Sequence, residues 1–207
     1  MHQKKFLILL KNMKNINIIG LGYIGLPLSC LLAKKYKINC IDNNKNKISN
    51  LKNKKLPFVE KGLKKIFGRN FRNFNFLPNL TKQKNYSVFI ICVPTPKRRG
   101  SADLRQVYNV IKKIMNVIKK GDLIIIESTI PPKTTNKIYK NFKLNKKKIH
   151  LAYCPERAIP GNTINEMINN NRIVGGIDSQ SIKKAAEVYK IFSKKIITST
   201  SLEAELT

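Results

Sequence analysis

Three glycines and one aspartate form the pattern in this sequence that is most typical of a binding site. The glycines are Gly20, Gly22 and Gly25, and Asp42 follows Gly22 by twenty residues. An apolar run, residues 16–19, precedes the glycines; a helical pattern and a second apolar run lead from them to the aspartate. This order of strand, glycine-rich turn, helix, strand and acid predicts a βαβ unit that binds a dinucleotide.

Each of these residues has a separate physical task in such a unit. Gly20 allows a tight turn, Gly22 lets the backbone approach a pyrophosphate, and Gly25 lets the helix pack close to the strand. The pyrophosphate would lie at the positive end of the helix. Asp42 can accept a hydrogen bond from a ribose 2′-OH and would repel a 2′-phosphate, which favours NAD over NADP. The alternative interpretation is a glycine-rich turn that only packs an ordinary α/β sheet.

The chain is strongly basic, with 41 Lys and Arg against 11 Asp and Glu and a formal charge of +30 over 207 residues. Such a charge is typical of nucleic-acid-binding proteins. The lysines, however, are spread over nearly every predicted helix and loop without a single stripe or interleaved aromatic residues. A drift in amino-acid composition across the whole chain therefore explains the lysines better than a nucleic-acid-binding function does. We expect no specific nucleic-acid partner. The charge would still attract polyanions and help to draw in an anionic nucleotide sugar.

The four cysteines indicate a reduced, cytoplasmic protein without a metal site. No pair has metal-ligand spacing, and three of the four lie in apolar runs. No apolar run approaches the ~20 residues of a membrane helix. Residues 1–12 are predicted to be an N-terminal extension, because a compact start begins at Met13. The cysteines are Cys30, Cys40, Cys92 and Cys154.

Apolar runs alternate with helical patterns along the chain, which predicts one Rossmann-like domain with a doubly wound parallel sheet over residues 13–200. The predicted strands are 16–19, 38–41, 87–93, 122–127, 150–153, 172–176 and 195–200, with one weak strand within 68–85. The predicted helices follow the glycine turn and span 44–53, 60–67, 103–119, 134–142, 163–170 and 179–192. Residues 97–102 are predicted to be a loop.

Polar motifs containing or flanked by proline follow three of the predicted strands. They are Val93-Pro94-Thr95-Pro96, Glu127-Ser128-Thr129 and Pro155-Glu156-Arg157. Ligands of parallel α/β sheets gather at the carboxyl ends of the strands, so these motifs point to one site. Prolines that merely end strands would explain each motif alone but explain three together poorly.

These motifs, in this order and spacing, resemble those of the UDP-glucose/GDP-mannose dehydrogenase family, from about residue 15 to the end of the chain. Residues 152–161 and 171–176 are most similar to the members that act on UDP-N-acetyl-D-mannosamine. The resemblance implies an enzyme that uses two NAD to oxidise the C6 alcohol of a UDP-sugar to a carboxylate. It also implies a place in surface polysaccharide biosynthesis and a homo-oligomer.

The resemblance assigns cofactor contacts to residues of this chain by matching position. Tyr23 and Ile24 would offer backbone contacts to the NAD phosphates. Asp42 and Lys47 would lie at the adenosine ribose. Thr95 would contact NAD near the reacting centre.

The resemblance likewise assigns residues to the chemistry and the substrate. Thr129 would contact NAD and order a water molecule. Glu156 would serve in acid/base work or water positioning. Arg157 and Ala158 would contact the substrate, Arg157 through the paired hydrogen bonds of its guanidinium group. The alternative for Arg157 is an ordinary loop arginine that pairs with Glu156 or Glu166.

Three positions depart from the family pattern. Lys133 replaces a usual glycine, Lys61 replaces a usual proline, and Asn171 stands where the most similar members usually have Asp. Only the turn at Lys133 is expected to change in shape.

The family places a Lys and an Asn on a long helix after the NAD domain, and a nucleophilic Cys further on. Residues 201–207 resemble the start of that helix, and Cys154 does not match the nucleophile. We therefore expect a truncated chain that is inactive alone and exposes apolar surface near Phe192 and Leu206. Two functional classes stay open: a UDP-sugar dehydrogenase, or an NAD-binding module without chemistry, such as a decayed gene product.

Overall fold

The computed structural model describes residues 15–82, 85–98 and 100–207. Ten strands and eight α-helices lie within these residues. The strands are β1 Asn15–Ile19, β2 Ile38–Ile41, β3 Phe74–Leu77, β4 Ser87–Ile91, β5 Lys97–Arg98, β6 Ser101–Ala102, β7 Leu123–Ile126, β8 His150–Tyr153, β9 Arg172–Gly176 and β10 Ile196–Thr200. The helices are α1 Gly25–Leu32, α2 Lys45–Lys52, α3 Leu63–Arg69, α4 Arg105–Val117, α5 Thr134–Leu144, α6 Thr163–Asn169, α7 Ser179–Tyr189 and α8 Ser201–Glu205.

Eight of the strands form one sheet in the order β3-β2-β1-β4-β7-β8-β9-β10. The chain runs outward from β1 through β2 to β3 and then crosses back to β4, on the other side of β1. The strand order therefore reverses between β1 and β4, and the crevice outside their carboxyl ends is where doubly wound sheets bind ligands. The expected Rossmann-like fold is confirmed.

One part of the sheet departs from the expected parallel arrangement. Strand β9 runs antiparallel to β8, with Tyr153 opposite Gly175, and β10 runs parallel to β9. The reason lies in the connection: residues 154–171 contain only the short helix α6, so the chain does not cross back before β9 begins. Strand β9 therefore starts at the carboxyl edge of β8. This orientation brings Arg172 to the edge that holds the predicted site.

Helices cover both faces of the sheet, and each face has its own apolar core. Helices α1, α2, α3, α6 and α7 pack on one face, and α4, α5 and α8 on the other. Strands β4 and β7 lie between the two cores and are buried along their whole length, as expected of continuous apolar runs in a parallel sheet. Both faces are therefore closed to ligands, which leaves the strand ends as the place for a site.

Two local expectations were wrong. Residues 97–102, expected to be a loop, contain the two-residue strands β5 and β6, which pair antiparallel. Phe192 is buried, because its ring packs edge-on against Tyr189 at 6.0 Å, whereas Leu206 is 69% exposed as expected. The predicted extension, residues 1–12, lies outside the described residues.

Within the described ranges, no helix combines the length and apolar character needed to cross a membrane. The same ranges contain no group of three or more His, Cys, Asp or Glu side chains that could hold a metal ion.

Candidate active site

The glycine-rich turn joins β1 to α1 at the point where the strand order reverses. Gly20 has φ +96°, and a Cβ atom there would lie 2.5 Å from the carbonyl oxygen of Cys92. At Gly25 a Cβ atom would lie 1.8 Å from the carbonyl oxygen of Gly20. Both positions therefore need glycine for the packing of the turn itself, as the sequence predicted.

Gly22 is different, because nothing in the described protein lies within 4 Å of the place where its Cβ would be. The missing side chain leaves open space beside the backbone and beside the first turn of α1, whose start is not capped by any side chain. Open backbone at the positive end of a helix is suited to phosphate. The turn therefore fits the pyrophosphate of a dinucleotide.

Tyr23 and Ile24 continue the turn into the helix. The Tyr23 side chain is 51% exposed, and its ring lies 4.3 Å, centroid to centroid, from that of Phe58. Ile24 is half-buried and packs against the core. The two side chains anchor the turn on the protein, which leaves their backbone as the part available to a ligand.

Asp42 directly follows β2 and is held by three groups of its own chain. Its carboxylate accepts hydrogen bonds from the backbone N–H of Leu21 at 2.9 Å and of Asn44 at 2.9 Å, and it pairs with Lys47 Nζ at 2.7 Å. Burial raises the pKa of Asp42, but the hydrogen bonds from Lys47, Leu21 and Asn44 outweigh burial and lower it. The carboxylate is therefore ionised and tied directly to the glycine turn. Its pairing with Lys47 offsets the charge that would repel a 2′-phosphate.

A cavity of about 520 Å³ opens between the ends of β1, β2 and β4. Gly20, Asp42 and Lys47 line one side. Gln106 and Asn109, from the first turns of α4, line the other and place two amide groups at the cavity. The sequence pattern gave no sign of these two residues, because each occupies a polar position on an amphipathic helix.

Thr95 and Thr129 follow the neighbouring strands β4 and β7. Thr95 is half-buried and Thr129 is exposed. The Ser128 hydroxyl donates to the carbonyl oxygen of Val93 at 2.7 Å and so joins the two strand ends. The two threonines therefore belong to one rim, as the sequence predicted, next to the glycine turn.

Glu156 follows β8 on the same edge of the sheet. One carboxylate oxygen accepts the backbone N–H groups of Arg157 and Ala158, each at 2.8 Å, and the other pairs with Arg172. Continuing the antiparallel register of β8 and β9 places residue 156 opposite residue 172, so the pairing follows from the topology. The side chain predicted for acid/base work is therefore held in one position.

Arg172 joins Glu156 to a second carboxylate, Glu127. The guanidinium group pairs with both acids and lies 4.2 Å above the ring of Tyr189, whose hydroxyl also donates to Glu127. Arg172 and Glu127 are 4% and 3% exposed. Glu127 Oε2 and Arg172 Nε have no partner within the described part of the chain. The sequence pattern did not reveal this bridge, because it predicted a parallel sheet, and the first residue of a parallel β9 would lie at the other edge.

Burial raises the pKa of Glu127 to about 7, and neighbouring Glu156 adds to the rise, whereas Arg172 and Tyr189 oppose it. Buried carboxyl groups with a pKa near neutrality cluster at functional sites. The bridge therefore places a carboxyl group that titrates near pH 7 behind the rim of the candidate site.

The segment after Glu156 is fastened at two further points. The Arg157 guanidinium donates to the carbonyl oxygen of Asn171 at 2.8 Å, rather than pairing with Glu156 or Glu166. Glu60, buried in the loop between α2 and α3, accepts the backbone N–H groups of Gly161 and Thr163, each at 2.9 Å. Residues 156–163 are therefore held against the glycine-turn side of the domain.

None of the four cysteines is placed as a nucleophile. Cys30, Cys40 and Cys154 are buried, and Cys92 is half-buried beside the glycine turn. Burial raises the pKa of all four thiols, to about 12 for Cys40. A thiolate is the reactive form of cysteine, so these side chains serve the core.

The turn at Lys133 keeps a glycine-like conformation without a glycine. Lys133 has φ +70°, and its backbone N–H donates to Glu205 Oε2 at 2.5 Å. Glu205 Oε1 also accepts from the backbone and the hydroxyl of Thr135. Gly175 leaves room for Ala204 of the same short helix, because a Cβ there would lie 2.5 Å from Ala204 Cβ. Helix α8 is therefore docked on α5 and β9.

Comparison with known proteins agrees with this geometry. Residues 14–193 match the model of the UDP-glucose/GDP-mannose dehydrogenase family, NAD-binding domain. The chain is 42% identical over 204 residues to a UDP-N-acetyl-D-mannosamine dehydrogenase from Methanococcus maripaludis, which covers 94% of this chain and 46% of the relative.

Two solved structures are also similar. The UDP-N-acetyl-mannosamine dehydrogenase Cap5O from Staphylococcus aureus superposes with a TM-score of 0.87 at 33% identity, over 93% of this chain and 49% of that one. A UDP-D-ManNAc dehydrogenase from Pyrococcus horikoshii gives a TM-score of 0.88 at 30% identity, over 93% and 48%. The chain thus spans about half the length of the relatives that it matches. It belongs to the UDP-glucose/GDP-mannose dehydrogenase family and carries that family's NAD-binding domain.

Proposed function

We propose that this chain provides the NAD site and the first substrate-contacting segment of an enzyme that oxidises the C6 alcohol of a UDP-sugar to the uronate. The proposed sugar is UDP-N-acetylmannosamine, because the relatives described above carry that substrate in their names. The proposed role is the supply of a uronate for surface polysaccharide biosynthesis.

The observation that carries the proposal is the coincidence of two features at one edge of the sheet. The open space beside Gly22 and the anchored Asp42 fit a dinucleotide. The segment that begins at Glu156 lies on the same edge and is held there by Glu60 and Arg172. An oxidation by NAD needs the cofactor and an acid/base group in one place.

The residues of this chain would then divide the work. Bound NAD would accept a hydride from the alcohol. The backbone of the turn at Gly22 would hold the pyrophosphate, and Asp42 with Lys47 would hold the adenosine ribose. Thr95 would position the reacting end of the cofactor.

On the substrate side, Glu156 would take up a proton or orient water, with Thr129 as the second group at the water. Arg157 and Ala158 would contact the nucleotide sugar. The guanidinium group of Arg157 is exposed, and its hydrogen bond to the carbonyl oxygen of Asn171 holds it in place. A phosphate or hydroxyl oxygen of the substrate could replace that carbonyl oxygen as the acceptor.

A second candidate is NAD binding without turnover by this chain, and the cysteines favour it. In the family the second oxidation passes through a cysteine thiolate, whereas burial raises the pKa of Cys92 and Cys154 at this site. The buried thiols would leave that step to another part of the enzyme.

Titration of NAD into the 207-residue chain, paired with an assay of NADH formation from UDP-N-acetylmannosamine, tests both candidates. The proposal expects NAD to bind and Asp42→Asn to weaken binding. NADH formation would support the dehydrogenase, and binding without NADH would support the binding module. Failure of NAD to bind, with no difference between the wild type and Asp42→Asn, would overturn both.

We further propose that residues 13–200 act as the NAD-binding domain, that residues 201–207 begin the family's next helix, and that the protein is a cytoplasmic homo-oligomer. The match over residues 14–193 supports the first point, the helix α8 at Ser201–Glu205 supports the second, and the exposed Leu206 supports the homo-oligomer. Sedimentation of the chain at several concentrations measures its oligomeric state.

A further inference from the structure

A cleft at the opposite edge of the sheet has no part in the proposed function. It lies at the amino ends of β7 and β8, beside the end of α5, and has a volume of about 700 Å³. Five lysines line it together with the half-buried ring of Tyr139. We call it the lysine cleft, and its lysines are Lys120, Lys143, Lys146, Lys147 and Lys148.

The acidic side chains of the protein lie outside the lining of the lysine cleft. All eleven Asp and Glu side chains of the chain lie in its described part, and each accepts a hydrogen bond from another group of the chain. None of them lines the cleft. The nearest in sequence, Asp122, is 1% exposed and accepts the backbone N–H groups of Ser87 and Lys119.

The backbone explains why the lysines converge. Lys146 follows the end of α5 with φ +55°, and the N–H groups of Lys146 and Lys147 donate to the carbonyl oxygens of Lys143 and Phe142, each at 2.9 Å. This closed end of the helix turns residues 146–148 back toward the cleft. The adjacent turn before β7 adds Lys120 from the other side.

We propose that the lysine cleft binds a short chain of phosphate groups, such as inorganic polyphosphate. Several like charges around one cavity match a ligand with several closely spaced negative charges. A nucleic-acid strand fits less well, because proteins that bind single strands stack bases on aromatic rings. The ring of Tyr139 already faces Lys143 Nζ at 5.1 Å, which leaves recognition to charge.

Calorimetric titration of tripolyphosphate into the 207-residue chain at about 0.15 M salt is the test. The proposal expects one site per chain. Replacing Lys143, Lys147 and Lys148 together by Gln should weaken tripolyphosphate binding by about tenfold or more. The matched control replaces Lys52, Lys65 and Lys112, three exposed helix lysines elsewhere, by Gln and should change binding less than about twofold.

The proposal would be overturned by no binding, by equal weakening in the two triple variants, or by tighter binding of an RNA oligonucleotide that the cleft variant alone weakens. Saturating NAD should leave tripolyphosphate binding unchanged, because the two sites lie at opposite edges of the sheet. Displacement by NAD would place the ligand in the glycine turn and would also overturn it.

If the cleft variant does not fold, acetylation of the wild-type lysines followed by mass spectrometry replaces it. Tripolyphosphate should then protect Lys143, Lys147 and Lys148 more than Lys52, Lys65 and Lys112. Uniform protection of both sets would contradict the proposal. NAD binding does not enter this readout, so the cleft and the proposed function fail independently.

Discussion

Replacing Glu127 by Gln should change how the stability of the protein depends on pH. Glu127 is buried between Arg172 and Tyr189, and glutamine keeps its shape and one oxygen that can accept both hydrogen bonds. The substitution removes one titrating group, and the amide that replaces the unpartnered Oε2 adds an offset that does not depend on pH. It therefore isolates the effect of one buried carboxyl group.

The size of the effect follows from the pKa. Burial above all raises the pKa of Glu127 from 4.5 to about 7. The folded state therefore holds this proton more tightly than the unfolded state. The resulting stabilisation is complete below pH 4.5 and is lost as the pH rises through 7. The difference between the two pKa values corresponds to about 3 kcal/mol of unfolding free energy.

Urea unfolding at a series of pH values from about 4 to 8 measures this slope. The wild type should lose stability with rising pH across this window relative to Glu127→Gln, whose curve lacks that loss. Glu187→Gln serves as the control, because it removes a carboxylate of the same charge that pairs with Lys190 at the surface of α7. Parallel curves for the wild type and Glu127→Gln would refute the reasoning.

Three further substitutions test other contacts by urea unfolding. Lys133→Gly should raise the free energy of unfolding by roughly 0.5–1 kcal/mol, because φ +70° strains a lysine; no gain would contradict that strain. Glu205→Gln should lower it by about 1 kcal/mol through weaker bonds to Lys133 and Thr135, and an unchanged value would mean that α8 is not held there. Arg172→Ala should cost about 3–5 kcal/mol by leaving two carboxylates unpaired, against under about 1 kcal/mol for exposed Arg157→Ala; equal costs would argue against the buried bridge.

The dinucleotide half of the site could be predicted from the sequence because its signals are local. Gly25 meets the backbone of Gly20 within the same turn, and Asp42 follows a strand that β1 pairs with directly; only the contact of Gly20 with Cys92 is long-range. Period and spacing along the chain are enough to place such residues. The structure places these residues together at the ends of β1 and β2.

The remainder of the candidate site, around Glu156, could be predicted only in part, because its contacts are long-range. Glu60 and Thr163 are 103 residues apart, and Arg172 and Glu127 are 45 apart. Arg172 also depends on the antiparallel direction of β9, which an alternating strand–helix pattern does not reveal. Gln106 carries no local signal either, since its role follows only from where α4 packs.

Gly22 offers the most direct measurement of the central claim, which is that the glycine turn binds NAD. Its Cβ position is open, so Gly22→Ala should not destabilise the fold; Gly68→Ala, at a second open position in α3, is the matched control. Calorimetric titration should show NAD binding to the wild type and to Gly68→Ala, and binding weaker by about tenfold or more in Gly22→Ala. Equal NAD affinity in all three proteins, with both variants folded as judged by their unfolding curves, would contradict the account.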